Sequence, residues 1–184
     1  MNNSTDNFKH LYSQYSLLVY NLALNYLQNK EDAEEVTQDV FVQIHHSLAD
    51  FKCKSSLKTW IYRIAINKSL DFIKHQNSIK RFFIFGKKSN NDLEIRNLST
   101  FEHPGITLEN KENAAILFAA INKLAKNQKT AFILSKIDGL SNAEIALIMN
   151  SSISAVESLV FRAKEILKTK LVLEFENYRK KKTK

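Results

Sequence analysis

The sequence predicts an all-α protein built from two small helical domains joined by a flexible linker. Three observations carry that expectation. The 184 residues include 3 Gly and 1 Pro, so helix breakers are few, and apolar residues make up 44%, enough for a core. Apolar side chains recur at helical spacing along most of the chain. Hairpin dipeptides are almost absent, Asp138-Gly139 being the one case.

The first helix reads from Phe8 to about Leu27, with Leu11, Tyr12, Tyr15, Leu18, Val19 and Leu22 on its apolar face. A second runs from about Asp32 to Leu48 on Ala33, Val36, Val40, Phe41 and Ile44, and its opposite edge carries Glu31, Glu35, Gln38 and Asp39. Residues 49–56 read as a loop containing Lys52, Cys53, Lys54, Ser55 and Ser56, and a third helix follows from Leu57 to Lys74. Thr59, Arg63, Asn67, Asp71 and Lys74 fall on one face of that helix at steps of three or four. Trp60 reads as a core residue. These elements make a first domain over 1–76.

Residues 77–110 are the expected linker, marked by Lys87-Lys88, Ser89-Asn90-Asn91-Asp92 and His103-Pro104-Gly105. Within it, Phe82, Phe83, Ile84 and Phe85 lie among Lys80, Arg81, Lys87 and Lys88. Aromatics between cations suit single-stranded DNA and suit a protein surface equally. Helical periodicity returns at Lys111 on Ile116, Ala120 and Leu124, breaks near Lys126-Asn127, and resumes on Phe132, Ile133 and Ile137. The second domain spans 111–175. A basic tail, 176–184, reads as a solvated, disordered end.

Residues 139–171 carry the most specific local pattern. Ser141-Asn142-Ala143-Glu144 fits a capping box, a hydroxyl with a carboxylate three residues later. The helix it opens holds Ile145, Ala146, Ile148 and Met149 and lasts two turns before Asn150-Ser151-Ser152. A second helix begins with Ser152 or Ser154 as cap and turns Val156, Val160 and Ala163 inward. Two short helices across a tight turn fit a helix-turn-helix, and the small Ala146 permits close packing. The outer face then shows Ser154, Ala155, Glu157, Ser158, Phe161 and Arg162, which could enter a major groove. An ordinary helical hairpin shares much of this pattern; the cap-to-turn spacing favours DNA binding.

Net charge is +8, and residues 111–184 hold 14 basic against 7 acidic side chains. A polyanionic partner is plausible, although five of those cations lie in the tail. The acidic edge of the second helix is too dense for DNA and suits a basic protein surface or plain solvent. Cys53 is the only cysteine, so no intrachain disulfide can form, and a cytoplasmic setting is expected. No apolar run reaches the ~18 residues of a membrane span. Met1-Asn2-Asn3-Ser4 does not open a signal peptide. The histidines, at 10, 45, 46, 75 and 103, make no metal-ligand pattern, and no phosphate loop or nucleophilic triad is visible. An enzyme, a cofactor and a small-molecule substrate are therefore not expected.

GLSNAEIALIMNSSISAVESLVFRAKEIL, residues 139–167, resembles the C-terminal helix-turn-helix of extracytoplasmic-function (ECF) sigma factors. AEEVTQDVF, residues 33–41, resembles their segment for the clamp helices of RNA polymerase. Phe51 with LKTWIYRIAIN, residues 57–67, and Asp71 resembles their promoter-melting segment. The resemblance implies a region 2-like first domain and a region 4-like second domain. It implies core RNA polymerase and promoter DNA as partners, with an anti-sigma protein as regulator. Glu34, Glu35, Gln38 and Asp39 would meet the polymerase. Lys52, Lys54, Ser55, Ser56, Lys58, Arg63 and Asn67 would meet the downstream (−10) element, with 52–57 forming a pocket for a flipped base. Arg162 would take phosphate or guanine, and Phe161 a thymine methyl. The sequence departs from the family pattern at Glu157 and Leu159, where basic residues are frequent. Leu159 removes a phosphate contact, and Glu157 can accept from cytosine N4. A helix-turn-helix regulator acting without polymerase would account for 139–171 but leaves 31–39 and 57–71 unexplained; a purely protein-binding helical module is the other rival.

Overall fold

The structure, a computed structural model, describes the backbone of residues 2–52, 55–86 and 108–182 and the side chains of 7–52, 55–79 and 113–172. Cys53, Lys54, the 80–88 cluster's side chains and the tail's side chains lie outside the described residues. Every regular element among those described is helical: α1 Asn2–Leu27, α2 Lys30–Ser47, α3 Leu57–Gly86, α4 Leu108–Asn122, α5 Lys126–Phe132, α6 Asn142–Met149 and α7 Ile153–Lys182. The chain divides into two compact units, 1–102 and 103–184.

In the first unit α1, α2 and α3 pack on one another. The junction of α1 and α2 is two residues long. Gln28 takes the left-handed conformation at φ 58, and Asn29 caps α2 by accepting from the Asp32 N–H at 2.8 Å. This tight reversal lays α2 antiparallel to α1, so Val19, Leu22, Val36, Val40 and Ile44 are buried, joined by Ile61 and Ala65 of α3. Two polar side chains inside this packing are satisfied locally. Thr37 donates to the Ala33 carbonyl at 2.6 Å, and Ser69 to that of Ala65 at 2.8 Å.

α3 starts where expected but runs on to Gly86, well past Lys74. No Gly or Pro interrupts 57–85, and the first glycine ends the helix. Thr59 departs from the polar stripe that its spacing places it on. It is buried, and its hydroxyl shares a 2.8 Å hydrogen bond with that of Ser56, the capping residue of α3. Trp60 is half-buried rather than core, its ring 5.0 Å from that of Phe51, which pins the loop before α3.

In the second unit α7 packs against α4, α5 and α6. α5 passes into a π-helical turn, Ile133–Ile137, closed by the Asp138 N–H donating to the Ile133 carbonyl at 3.0 Å. Gly139, at φ 70, then reverses the chain into α6. Asp138-Gly139 thus marks a helix–helix turn, not a hairpin. α7 continues to Lys182 through the stretch expected to be a disordered tail, because Leu, Glu, Lys and Arg all favour helix and no breaker intervenes.

Candidate nucleic-acid and polymerase interfaces

The second unit carries the helix-turn-helix. Ser141 caps α6 as its sequence predicts: its hydroxyl accepts from the Glu144 N–H at 3.3 Å, and the Ser141 N–H donates to Glu144 Oε2 at 2.9 Å. Asn150, left-handed at φ 51, ends α6, and the Ser151 N–H donates to the Ala146 carbonyl at 3.0 Å. Ser152, the first of the two expected caps, opens α7 by accepting from the Ala155 N–H at 3.2 Å. The chain bends by 102° between α6 and α7, within the range of a helix-turn-helix. Ile145, Ala146, Val156, Val160 and Ala163 are buried between and behind the two helices. No single helix among the described residues is long and apolar enough to cross a membrane, and this bent pair is the apolar stretch that comes nearest.

On the outer face of α7, Ser154, Glu157, Ser158, Phe161 and Arg162 are exposed and Ala155 is half-buried. Phe161 is 64% exposed, a large apolar ring that the fold leaves without cover. Leu159 is half-buried, so that departure from the family pattern points partly inward. Glu157 is not a free carboxylate at the helix start. Its Oε1 accepts from Asn142 Nδ2 of α6 at 3.3 Å. The two residues line one groove with Ser135, Lys136, Val160, Phe161 and Lys164. Lys136, Asn142 and Lys164 are absent from the sequence-derived set. Lys164 was legible, standing seven residues after Glu157 and three after Phe161 on the same helical face. Lys136 comes from the π-turn, which no spacing rule foretells.

The first unit holds two candidate surfaces. On α2, Glu34, Glu35, Gln38 and Asp39 are all exposed, with Val42 56% exposed one turn further on. Asp39 reaches across to Lys68 of α3 at 3.8 Å, an exposed pair of small energetic weight. At the start of α3, Lys52 and Lys58 are exposed, Ser55 and Arg63 half-buried, and Asn67 exposed two turns along. Lys58 Nζ sits 6.0 Å over the Tyr62 ring. Ser56 stays near this group, yet its hydroxyl is engaged in capping α3. Among the described residues no group of three His, Cys, Asp or Glu side chains is placed to hold a metal.

Residues 11–79 match the family model described as sigma-70 region 2, and residues 114–167 the one described as sigma-70, region 4. The chain is 30% identical over 165 residues to the ECF RNA polymerase sigma-E factor of Haemophilus influenzae, which covers 89% of this chain and 87% of that one. The chain is an ECF sigma factor. The same identity, over 173 residues and 89% and 86% of the two chains, relates this sigma factor to the sigma-E factor of Escherichia coli K12. Its fold is shared with the sigma factor RpoE of Bartonella quintana, solved in complex with the anti-sigma factor NepR, at a TM-score of 0.65, 23% identity and coverage of 90% and 96%. CnrH, solved with the cytosolic domain of CnrY, matches at a TM-score of 0.62, 22% identity and coverage of 92% and 90%. Membership of this family makes the chain a promoter-recognising factor of transcription initiation.

Proposed function

We propose that this sigma factor divides promoter recognition between its two units and binds core RNA polymerase through the acidic edge of α2. The observation that carries the reading is the 102° bend between α6 and α7, which presents Ser158, Phe161 and Arg162 on one uncovered face. That face enters the major groove of the upstream (−35) element, where Arg162 takes phosphate or guanine and Phe161 the thymine methyl. In the first unit Asn67 offers its amide to a base of the downstream element. Lys52, Lys58 and Arg63 supply cations to phosphate, and Ser55 lies at the entry to the pocket for a flipped base. Lys54 is assigned to that pocket by resemblance alone. Glu34, Glu35, Gln38 and Asp39 meet the basic clamp helices of the polymerase.

The reading extends to regulation and setting. The B. quintana relative binds an anti-sigma factor, and we infer a regulator of that class for this chain. The factor works in the cytoplasm beside the polymerase, without a cofactor or a reaction of its own. Transcription from a promoter library by purified core polymerase tests the whole: added protein should start transcripts at a defined subset of promoters. A polymerase that neither retains the protein nor gains promoter-dependent transcripts would refute it.

A further inference from the structure

Asn142 and Glu157 lie fifteen residues apart, on different helices, and are joined by a hydrogen bond at the mouth of the groove beside Phe161. A carboxylate on a DNA-reading helix is repelled by phosphates unless a base donates to it. It also loses rotamer freedom and hydration when it docks. Both costs are reduced here. The Asn142 amide holds Oε1 and so fixes the direction of the second oxygen before DNA arrives. Lys136 and Lys164 line the same groove and set cations beside the carboxylate.

We propose that Asn142 and Glu157 act together as a cytosine reader in the upstream promoter element. Glu157 accepts from the base amino group, and Asn142 is the positioning residue that aims it. The proposal rests on the docking of α7 in the major groove. Cytosine follows from donor–acceptor chemistry. It offers N4–H₂ as its only polar major-groove group, whereas adenine sets the acceptor N7 beside N6–H₂, and guanine and thymine offer acceptors to a group that can only accept.

The test is selection of a promoter library, randomised over the upstream element, by polymerase holoenzyme carrying wild-type or variant sigma. Wild type should enrich cytosine about ten-fold or more at one position. Glu157→Gln should move that same position toward adenine, which an amide pairs with in two-point fashion. Asn142→Ala should cut the cytosine preference to about three-fold or less there and leave other positions unchanged. Asn142→Asp should relax it as far, by repelling Glu157, while a first-turn carboxylate keeps α6 stable. Circular dichroism of each variant verifies the fold. A cytosine preference that persists in both Asn142 variants overturns the proposal, as does a selected sequence that Glu157→Gln leaves unaltered. Arg162→Ala separates the two levels. If it lowers recovery of the whole library, or relaxes one other position, while the Glu157 variant is silent, α7 docks as argued and the reader is refuted. If it is silent as well, the docking and the reader fall together.

Discussion

Asn67 stands exposed on α3, where its amide can both donate to and accept from a base edge. Asn67→Ala removes that amide, and because the side chain is exposed the fold should stay close to wild type. Transcription should fall by the equivalent of about 1–3 kcal/mol at one downstream position, the scale of a specific base contact. Assays on promoters mutated base by base provide the check; equal losses on all of them would show that Asn67 reads no base. Residues of this kind were legible in the sequence because exposure follows from helical spacing. Thr59 shares the spacing and is buried, and Ser56 spends its hydroxyl on the cap of α3. Spacing places a side chain on a face, while the hydrogen-bond demand of a helix start decides whether a hydroxyl remains available. Asn142 was hidden for a related reason: read within its own capping box it has no partner, and the partner is fifteen residues away.

At the scale of the element, α5 carries a charge on its inward face, one turn before Phe132 and Ile133. Lys129 is 6% exposed, and its Nζ donates to Asn122 Oδ1 at the end of α4 at 2.7 Å. Burial lowers its pKa from 10.5 to about 8. Below pH 8 the amine is protonated in the folded and unfolded chain alike, and the fold bears the full cost of burying an ammonium. Between pH 8 and 10.5 the folded form releases the proton while the unfolded form keeps it, so stability rises with pH. Above 10.5 both forms are neutral and the cost is gone. Lys129→Met should therefore stabilise the second unit at pH 7 by about 2 kcal/mol, the desolvation cost less the lost hydrogen bond. It should also flatten the rise between pH 8 and 10. Urea unfolding followed by circular dichroism at pH 7 and pH 10 measures both, and an unchanged slope with pH would remove burial of Lys129 as its cause. Element type and order were legible throughout: α2, α6 and α7 start within two residues of their predicted caps or registers, whereas α1 begins at Asn2, well before the expected Phe8. The far ends of α3 and α7 were not, because an aromatic cluster and a charge run were read as linker and tail although no Gly or Pro stands in 75–85 or 173–182 to break the helix. The π-turn adds one residue to the ring of a single turn, and no local side-chain signal encodes that.

For the molecule as a whole, the division of charge suggests a division of labour. Residues 1–76 carry equal numbers of acidic and basic side chains, whereas 111–184 carry 14 basic and 7 acidic. The first unit concentrates its acids on α2, where Glu34, Glu35 and Asp39 share an exposed edge. Replacing Glu35 and Asp39 with Lys places like charges against a basic polymerase surface, and capture by core enzyme should be lost. Both side chains are exposed, so helical content and thermal unfolding should stay close to wild type. The substitution also breaks the Asp39–Lys68 pair and sets two ammonium groups face to face, which offers a second explanation for any loss. Lys68→Glu separates the two. It breaks the same pair from the other side and leaves the acidic edge intact, so it should bind core enzyme as wild type does. Loss of capture in the double variant alone locates the interface on α2. Loss in both makes the packing of α2 on α3 the determinant. Retention in both moves the polymerase contact to another surface of the first unit.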